Sequence, residues 1–319
     1  MRFRRGRSWL VLTLFAIVAL QCAAETRWRW DEDQSRSYEL RIVRSQNALA
    51  DRNYRSRLKV RALLGFQSSK KSAGESPTLH MRIEQLRIER QAGKSYSFFD
   101  SEADLSDSGS ESAWATLGRA LLANDYLMRQ TPAGALELLE GTSEGGGLAF
   151  ESALENNPRE AFILLQVFGD HRLTQLLNSL IYVLPDIMTT ETKSWSRSEE
   201  VDLGFDVVVR RDMDYTIEKS DDDNVWIDIA GGIGTIDGED GLVELPGGSA
   251  DVRIEDSSID GKSIFSNSKG CISKSELHGK MDMKMIVKDK NNPGKSSEVR
   301  SRLVQDASLK LIGGSGAMP

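Results

Sequence analysis

Apolar positions along this chain change rhythm twice. They first fall on every second residue. Leu40 and Ile42 alternate with Arg41 and Val43, and Leu58 and Val60 with Lys59 and Arg61. Leu79, Met81 and Ile83 alternate with His80, Arg82 and Glu84, before Leu86 and Ile88. A period of two with one charged side predicts antiparallel strands that wet one face and bury the other. The polar stretch from Ser68 to Pro77 predicts a long hairpin loop between two of them.

The centre switches to helical spacing. Residues 112–123 predict a short helix with Trp114, Leu117, Leu121 and Leu122 on one side. Tyr126 to Gln130 and Ala135 to Leu139 predict a small hairpin around Thr131-Pro132-Ala133-Gly134. Gly145-Gly146-Gly147 reads as a joint. Asn157 can then cap a helix whose first position is Pro158 and whose third is Glu160. After Gly169, the residues Leu173, Leu176, Leu177, Leu180, Ile181 and Leu184 share one helical face, and Pro185 stops the run.

The two-residue period then returns. Val201, Leu203, Phe205, Val207 and Val209 predict one strand, and Val225, Ile227 and Ile229 a second. Met281, Met283, Met285 and Val287 predict a third, with Leu309 and Leu311 on a closing one. A Gly-Lys-Ser-aromatic echo between residues 93–96 and 261–265 is compatible equally with duplication and with chance. The expected fold class is α+β, with two antiparallel β meanders, as curved sheets or half-barrels, around a central helical segment. Residues 25–144 form the first β-rich half, 145–190 the central amphipathic helices, 191–312 the second half and 313–319 a loose tail.

The first residues predict export. Four arginines precede an apolar run from Trp9 to Leu20, followed by Gln21-Cys22-Ala23-Ala24. Small residues at −3 and −1 place signal cleavage after Ala24, making residues 1–24 a signal peptide. The apolar run is about a dozen residues, whereas a spanning helix needs ~20, so no membrane span is expected after cleavage. Gln21 argues against lipidation at Cys22, because the processing pocket takes Gly, Ala or Ser there. Removing those four arginines takes the formal net charge from −7 to −11. Such a chain is poorly suited to nucleic acid, which is held through clustered cations. With Cys22 removed, Cys271 is left as the one thiol, so the fold must rest on its core rather than on a disulfide.

Candidate chemistry is sparse. Gly261-Lys262-Ser263 resembles the end of a phosphate loop, but Asp256 stands where that loop needs glycine. Gly231-Gly232-Ile233-Gly234 lacks the spacing of a dinucleotide turn. His80, His171 and His278 lie far apart, so no local metal site is encoded, and Cys271 has no neighbouring base. The acids at 221–223 and 237–240 read as solvated turns. No cofactor and no catalytic set is expected. Met281, Met283 and Met285 on one strand face could line an apolar site together with Leu176 and Leu180, or could simply fill the core.

An opening strand after cleavage at Thr26-Arg27-Trp28-Arg29-Trp30, the Met81 to Ile88 strand leading to Phe98-Phe99-Asp100-Ser101, the Thr131-Pro132-Ala133-Gly134 hairpin and Lys193-Ser194-Trp195 carry a resemblance. On these motifs, residues 25–312 resemble an uncharacterised bacterial family of secreted β-rich proteins, a domain of unknown function. The resemblance implies no catalytic residues. In plan the chain looks like envelope proteins that fold a curved sheet over helices, including periplasmic lipoprotein carriers. The expected function is therefore non-enzymatic: an exported envelope protein binding a lipophilic ligand or an apolar protein segment. A structural or interaction module with a filled core is the alternative, and a hydrolase with a spatially assembled acid pair is a third reading.

Overall fold

Alternating runs become strands and the leucine-spaced runs become helices. The computed structural model describes residues 26–314 apart from 32, 50–54, 70–75, 104–112, 132, 142–155, 157, 186, 190, 203–207, 235–241, 246–247 and 290–291. The signal segment with Cys22 and Ala24, the Asn157 cap, the glycine joint, the 237–240 acids and residues 315–319 lie outside the described residues. The first half holds β1 (Ser35–Ala48), β2 (Arg55–Ser68), β3 (Thr78–Ala92), β4 (Ser95–Asp100), β5 (Asp125–Gln130) and β6 (Leu136–Glu140). The second holds β7 (Ser194–Asp202), β8 (Val208–Ser220), β9 (Asn224–Ile233), β10 (Leu242–Leu245), β11 (Gly248–Ser266), β12 (Cys271–Asp289) and β13 (Asn292–Gly313). Between them lie the helices α1 (Ala113–Leu122), α2 (Pro158–Phe168) and α3 (Asp170–Ile181). The protein is mostly antiparallel β-sheet with few helices, more lopsided than an even α+β layout.

Two separate meanders are not what forms. The strands make one open sheet in the order β6-β5-β3-β2-β1-β13-β12-β11-β9-β8-β7, with β4 on β3 and β10 on β11. The join is β1 against β13, paired from Ser37↔Gly313 to Ala48↔Ser301. Left apart, the halves would each present a long bare edge of unpaired N–H and C=O groups, and pairing the first strand with the last removes both. The expected single strand from Val201 to Val209 is also corrected. Val201 and Val209 face each other across the β7–β8 hairpin, and Leu203, Phe205 and Val207 lie outside the described residues. A two-residue period cannot reveal that the chain has doubled back, because parity survives such a turn.

The sheet's inner face is apolar. Leu40, Ile42, Val60, Leu64, Met81, Ile83, Met213, Tyr215, Ile227, Ile229 and Leu309 are all buried, in one cluster with Leu117, Leu121, Leu164, Phe168, Leu173, Leu177 and Leu180 of the helices. The outer face carries ion pairs such as Lys59–Glu89 at 3.1 Å and Lys262–Asp228 at 3.1 Å. Each such exposed pair contributes only ~0–1 kcal/mol. Burial of the inner face supplies the bulk of the stability.

Residues 26–31, expected as an opening strand, instead cross one end of the sheet as a strap. Arg29 N donates to Gly270 O at 3.0 Å, and Trp30 Nε1 to Gln130 Oε1 at 2.5 Å. Trp28 packs edge-on to Phe265 and lies so close to Gly134 that a Cβ there would sit 2.0 Å from its Nε1. Gly134 also has φ +102, so this turn needs glycine twice over.

Helix α3 meets both edges of the sheet. At the β6 edge, Leu136 N donates to Asn178 Oδ1 at 2.7 Å and Asn178 Nδ2 donates to Leu136 O at 2.9 Å, so one side-chain amide stands in for a neighbouring strand. At the other edge, Arg197 of β7 donates to Leu184 O at 2.8 Å and to Tyr182 O, and stacks 3.3 Å over the Tyr182 ring. The helix ends at Ile181, earlier than Pro185 demands, and the freed carbonyls of 182 and 184 are the ones Arg197 takes. Asn178→Ala leaves both Leu136 groups without that partner. It is expected to lower the unfolding free energy by about 2 kcal/mol in urea titration and to speed amide exchange at Leu136 more than elsewhere in β5 and β6.

Candidate functional site

Inward-facing positions read apolar along most strands, and then break in one band. On β1 the inward parity runs Leu40, Ile42, then Arg44. On β13 it runs Leu309, Ala307, then Gln305, and Arg44 and Gln305 are direct cross-strand partners. Gln305 in turn faces Gly279 on β12, and Gly279 faces Ile259 on β11. On β8 the inward run Tyr215, Met213 is followed by Arg211. Opposite this band lie Gln166 of α2 and Arg172, Gln175, Leu176 and Ser179 of α3. Between helices and sheet remains a cavity of about 170 Å³.

Its walls are apolar with a cationic corner. Ile42, Val167, Leu176, Met281 and Leu303 supply the greasy side. Arg44 is half-buried, and its Nε donates to Gln305 Oε1 at 3.0 Å while Nη1 reaches Gln166 Oε1 at 3.5 Å. Both of these acceptors are neutral amides. Desolvation, and then the charge of Arg172, pull the Arg44 guanidinium down from its ordinary value to about 10. Arg211 is held differently: Glu199 accepts from its Nη2 at 2.6 Å and from its Nε at 3.0 Å, and Ser179 Oγ accepts from Nη1 at 2.7 Å. Lys280 touches the cavity from the outer parity, with its ammonium on Asp256 at 3.0 Å and Asp282 at 3.6 Å. Among the described lining residues there is no carboxylate.

The residues expected to line an apolar site divide into three places. Leu176 and Met281 meet at this cavity. Leu180 does not: it is wholly buried in the main core. Met283 and Met285 lie further along β12, half-buried against a second apolar cluster of Val201, Val209, Val252, Ile254 and Met281. Arg44, Arg172, Gln166 and Gln305 are absent from the sequence-based set. Their signal was available for the two strand residues, since Arg44 and Gln305 occupy inward positions where the parity calls for an apolar side chain.

Other candidate chemistry resolves into structure. Gly261-Lys262-Ser263 lies inside β11 rather than in a loop, with Lys262 paired to Glu218 at 2.9 Å. Asp221 Oδ1 accepts from the backbone N of Asp223 and Asn224 at 3.0 and 2.7 Å, which is turn-closing work. Cys271 is a buried free thiol, and the adjoining Tyr38 phenol is pushed well above its ordinary value first by burial and then by that thiol. His278 Nδ1 sits 2.6 Å from Asp306 on the exposed face. No cluster of three metal-binding side chains occurs among the described residues.

Residues 74–292 match the family described as "Family of unknown function (DUF6263)". No curated protein matches the chain. A solved structure on lipid–protein interactions in lipovitellin is 9% identical over 91% of this chain, with a TM-score of 0.47. The chain spans only 26% of the length of that lipovitellin chain. An outer membrane channel from Pseudomonas putida F1 is 6% identical over 89% of this chain and 97% of its own, with a TM-score of 0.22. DynF from the dynemicin biosynthesis pathway of Micromonospora chersina is 7% identical over 90% of this chain and 85% of its own, at 0.20.

Arg211 joins β8, β7 and α3 at the cavity wall. Arg211→Ala is expected to cost about 3 kcal/mol in chemical denaturation, because Glu199 loses its cation in a half-buried place. The Arg211→Ala/Glu199→Ala double variant should cost less than the sum of the two single changes.

Proposed function

This chain belongs to that family of unknown function, and on that premise we propose that it is a non-enzymatic, exported envelope protein that holds a lipophilic ligand between its helix pair and the inner face of its sheet. The observation that carries the reading is the cavity between helices and sheet, bounded by Leu176 and Met281. Natural cores leave few voids larger than a water molecule, so an open apolar space of this size is a feature to account for. A volume of about 170 Å³ takes roughly one benzene-sized group or the end of one alkyl chain. The half-buried row of Met283 and Met285 extends the apolar track beyond it. Methionine adapts its shape to whatever lies against it, which suits a site receiving chains of varied form.

The cavity favours ligand holding over an interaction module with a filled core. It also offers no close pair of carboxylates for hydrolysis, since no described lining residue is acidic. Export would deliver the chain as a soluble body beginning at Glu25.

Two measurements test this. N-phenyl-1-naphthylamine, an uncharged apolar fluorophore, should bind saturably with one molecule per chain, and Leu176→Trp, which fills the cavity, should weaken it by about tenfold or more. Unsaturable fluorescence, or binding indifferent to Leu176→Trp, would count against the ligand site. Intact-mass analysis of the exported chain should give a polypeptide starting at Glu25; recovery of an uncleaved chain retaining residues 1–24 would remove the export reading.

A further inference from the structure

Acids outnumber cations in the whole sequence, 48 to 41, but one tip of the sheet has the opposite balance. Residues 55–59 and 87–100, the start of β2 and the β3–β4 hairpin, hold six Arg and Lys against Glu89 and Asp100. Both acids are already engaged, Glu89 by Lys59 at 3.1 Å and Asp100 by Arg87 at 3.3 Å. Register sets these groups on one surface. Tyr96, Gln91, Arg57 and Ser45 form a row across β4, β3, β2 and β1, and Phe98, Glu89, Lys59 and Val43 form the next. Both rows point away from the core, since Phe99, Ile88, Leu58 and Ile42, of the opposite parity, are buried. Gly93 N donates to Arg55 O at 3.0 Å, so exposed Arg55 flanks the turn that carries exposed Lys94.

Apolar side chains stand out of the same surface. Tyr96 is 64% exposed, Phe98 39%, and Leu49, just past the end of β1, 47%. Two aromatic rings on one strand face, left to water, keep apolar surface hydrated at a cost that a partner would relieve. A bilayer relieves it. Aromatic rings settle at the headgroup level, while Lys and Arg extend from apolar stems to the phosphates. Cations near an anionic surface add attraction, and that attraction decays within about 10 Å. The acidic remainder of the chain therefore opposes a docked tip only weakly. A nucleic-acid strand would need its cations laid along a groove, whereas these surround a hairpin tip beside Leu49 and Phe98.

We propose that the β3–β4 hairpin and the adjoining start of β2 dock this protein on an anionic lipid bilayer. Tyr96 and Phe98 enter at the headgroup level, and Arg55, Arg57 and Lys94 meet the lipid phosphates. The docking surface goes beyond the cavity reading and does not rest on it.

The test is flotation of the exported chain, shown by intact mass to lack residues 1–24, with two kinds of vesicle. One is phosphatidylcholine alone, and the other contains about one part in three of phosphatidylglycerol. Binding to the anionic vesicles should be about tenfold or more tighter and should fall as salt is added. Arg55→Gln with Arg57→Gln should weaken it by about tenfold. Lys274→Gln with Lys310→Gln, the same loss of charge on a cross-strand pair toward the other end of the sheet, should leave it unchanged. Tyr96→Ser, which removes the most exposed ring, should weaken binding by about fivefold at every salt concentration. Each variant should keep the wild-type Tm and the wild-type response to N-phenyl-1-naphthylamine, which separates lost docking from a lost fold or cavity. Equal binding to both vesicles, binding to neither, or binding that survives the arginine and tyrosine changes would overturn the proposal. Capture of an oligothymidylate without capture of vesicles would overturn it in favour of nucleic acid. A dimer dispersed by Tyr96→Ser, again without vesicle binding, would overturn it in favour of a second copy of this chain.

Discussion

One helix holds two ends of a sheet. Asn178 of α3 gives its amide to the β6 edge, and the turn just after α3 gives its carbonyls to Arg197 on the β7 edge. An open sheet of this many strands has two exposed ladders, each a template for pairing with another chain. Tying both to the same helix curls the sheet over its own apolar face and protects its edges without closing a barrel. Everything else follows from that arrangement. The helices can lie only on the inner side, the charged side faces out, and the space left under α3 is set by side chains rather than by a strand–strand seam.

That geometry explains why polar groups cluster where they do. A closed barrel of this many strands would enclose a space wider than its own inward side chains can fill. Here the helices fill most of it. The band of Arg44, Gln305 and Arg211 lies where β1, β13 and β8 pass under α2 and α3. Arg211 is satisfied by Glu199 and Ser179 and acts as a structural tie. Among the described residues, Arg44 is held by the amide oxygens of Gln305 and Gln166.

Much of the layout is legible in the residues. The parity of Leu40 and Ile42, of Met81 and Ile83, and of Ile227 and Ile229 marks strands with a buried face, and each of these side chains is indeed buried. The leucine spacing from 173 to 181 marks the helix, whose Leu173, Leu177 and Leu180 have no exposed surface. The cavity was harder to see. Leu176 and Leu180 share a helical stripe, but a stripe of that width presents two directions. One takes Leu180 into the core and the other takes Leu176 to the void. Met281, Met283 and Met285 share a face for the same periodic reason, yet only Met281 reaches under the helix.

What the amino-acid order determined by itself was local: which segments alternate, which spiral, where glycine and proline must turn the chain, and which side of each element seeks cover. These follow from side-chain period and backbone sterics, which act over a few residues. What only the tertiary structure decided was adjacency. That β1 lies beside β13, that Val201 and Val209 close one hairpin, and that Arg44 meets Gln305 and Gln166 depends on pairings between residues as far apart as Ser37 and Gly313. Register and neighbour choice are properties of the whole sheet. Alternation makes every strand a fitting partner for every other, and only the closing of edges and the packing of one helix against both ends selects among them.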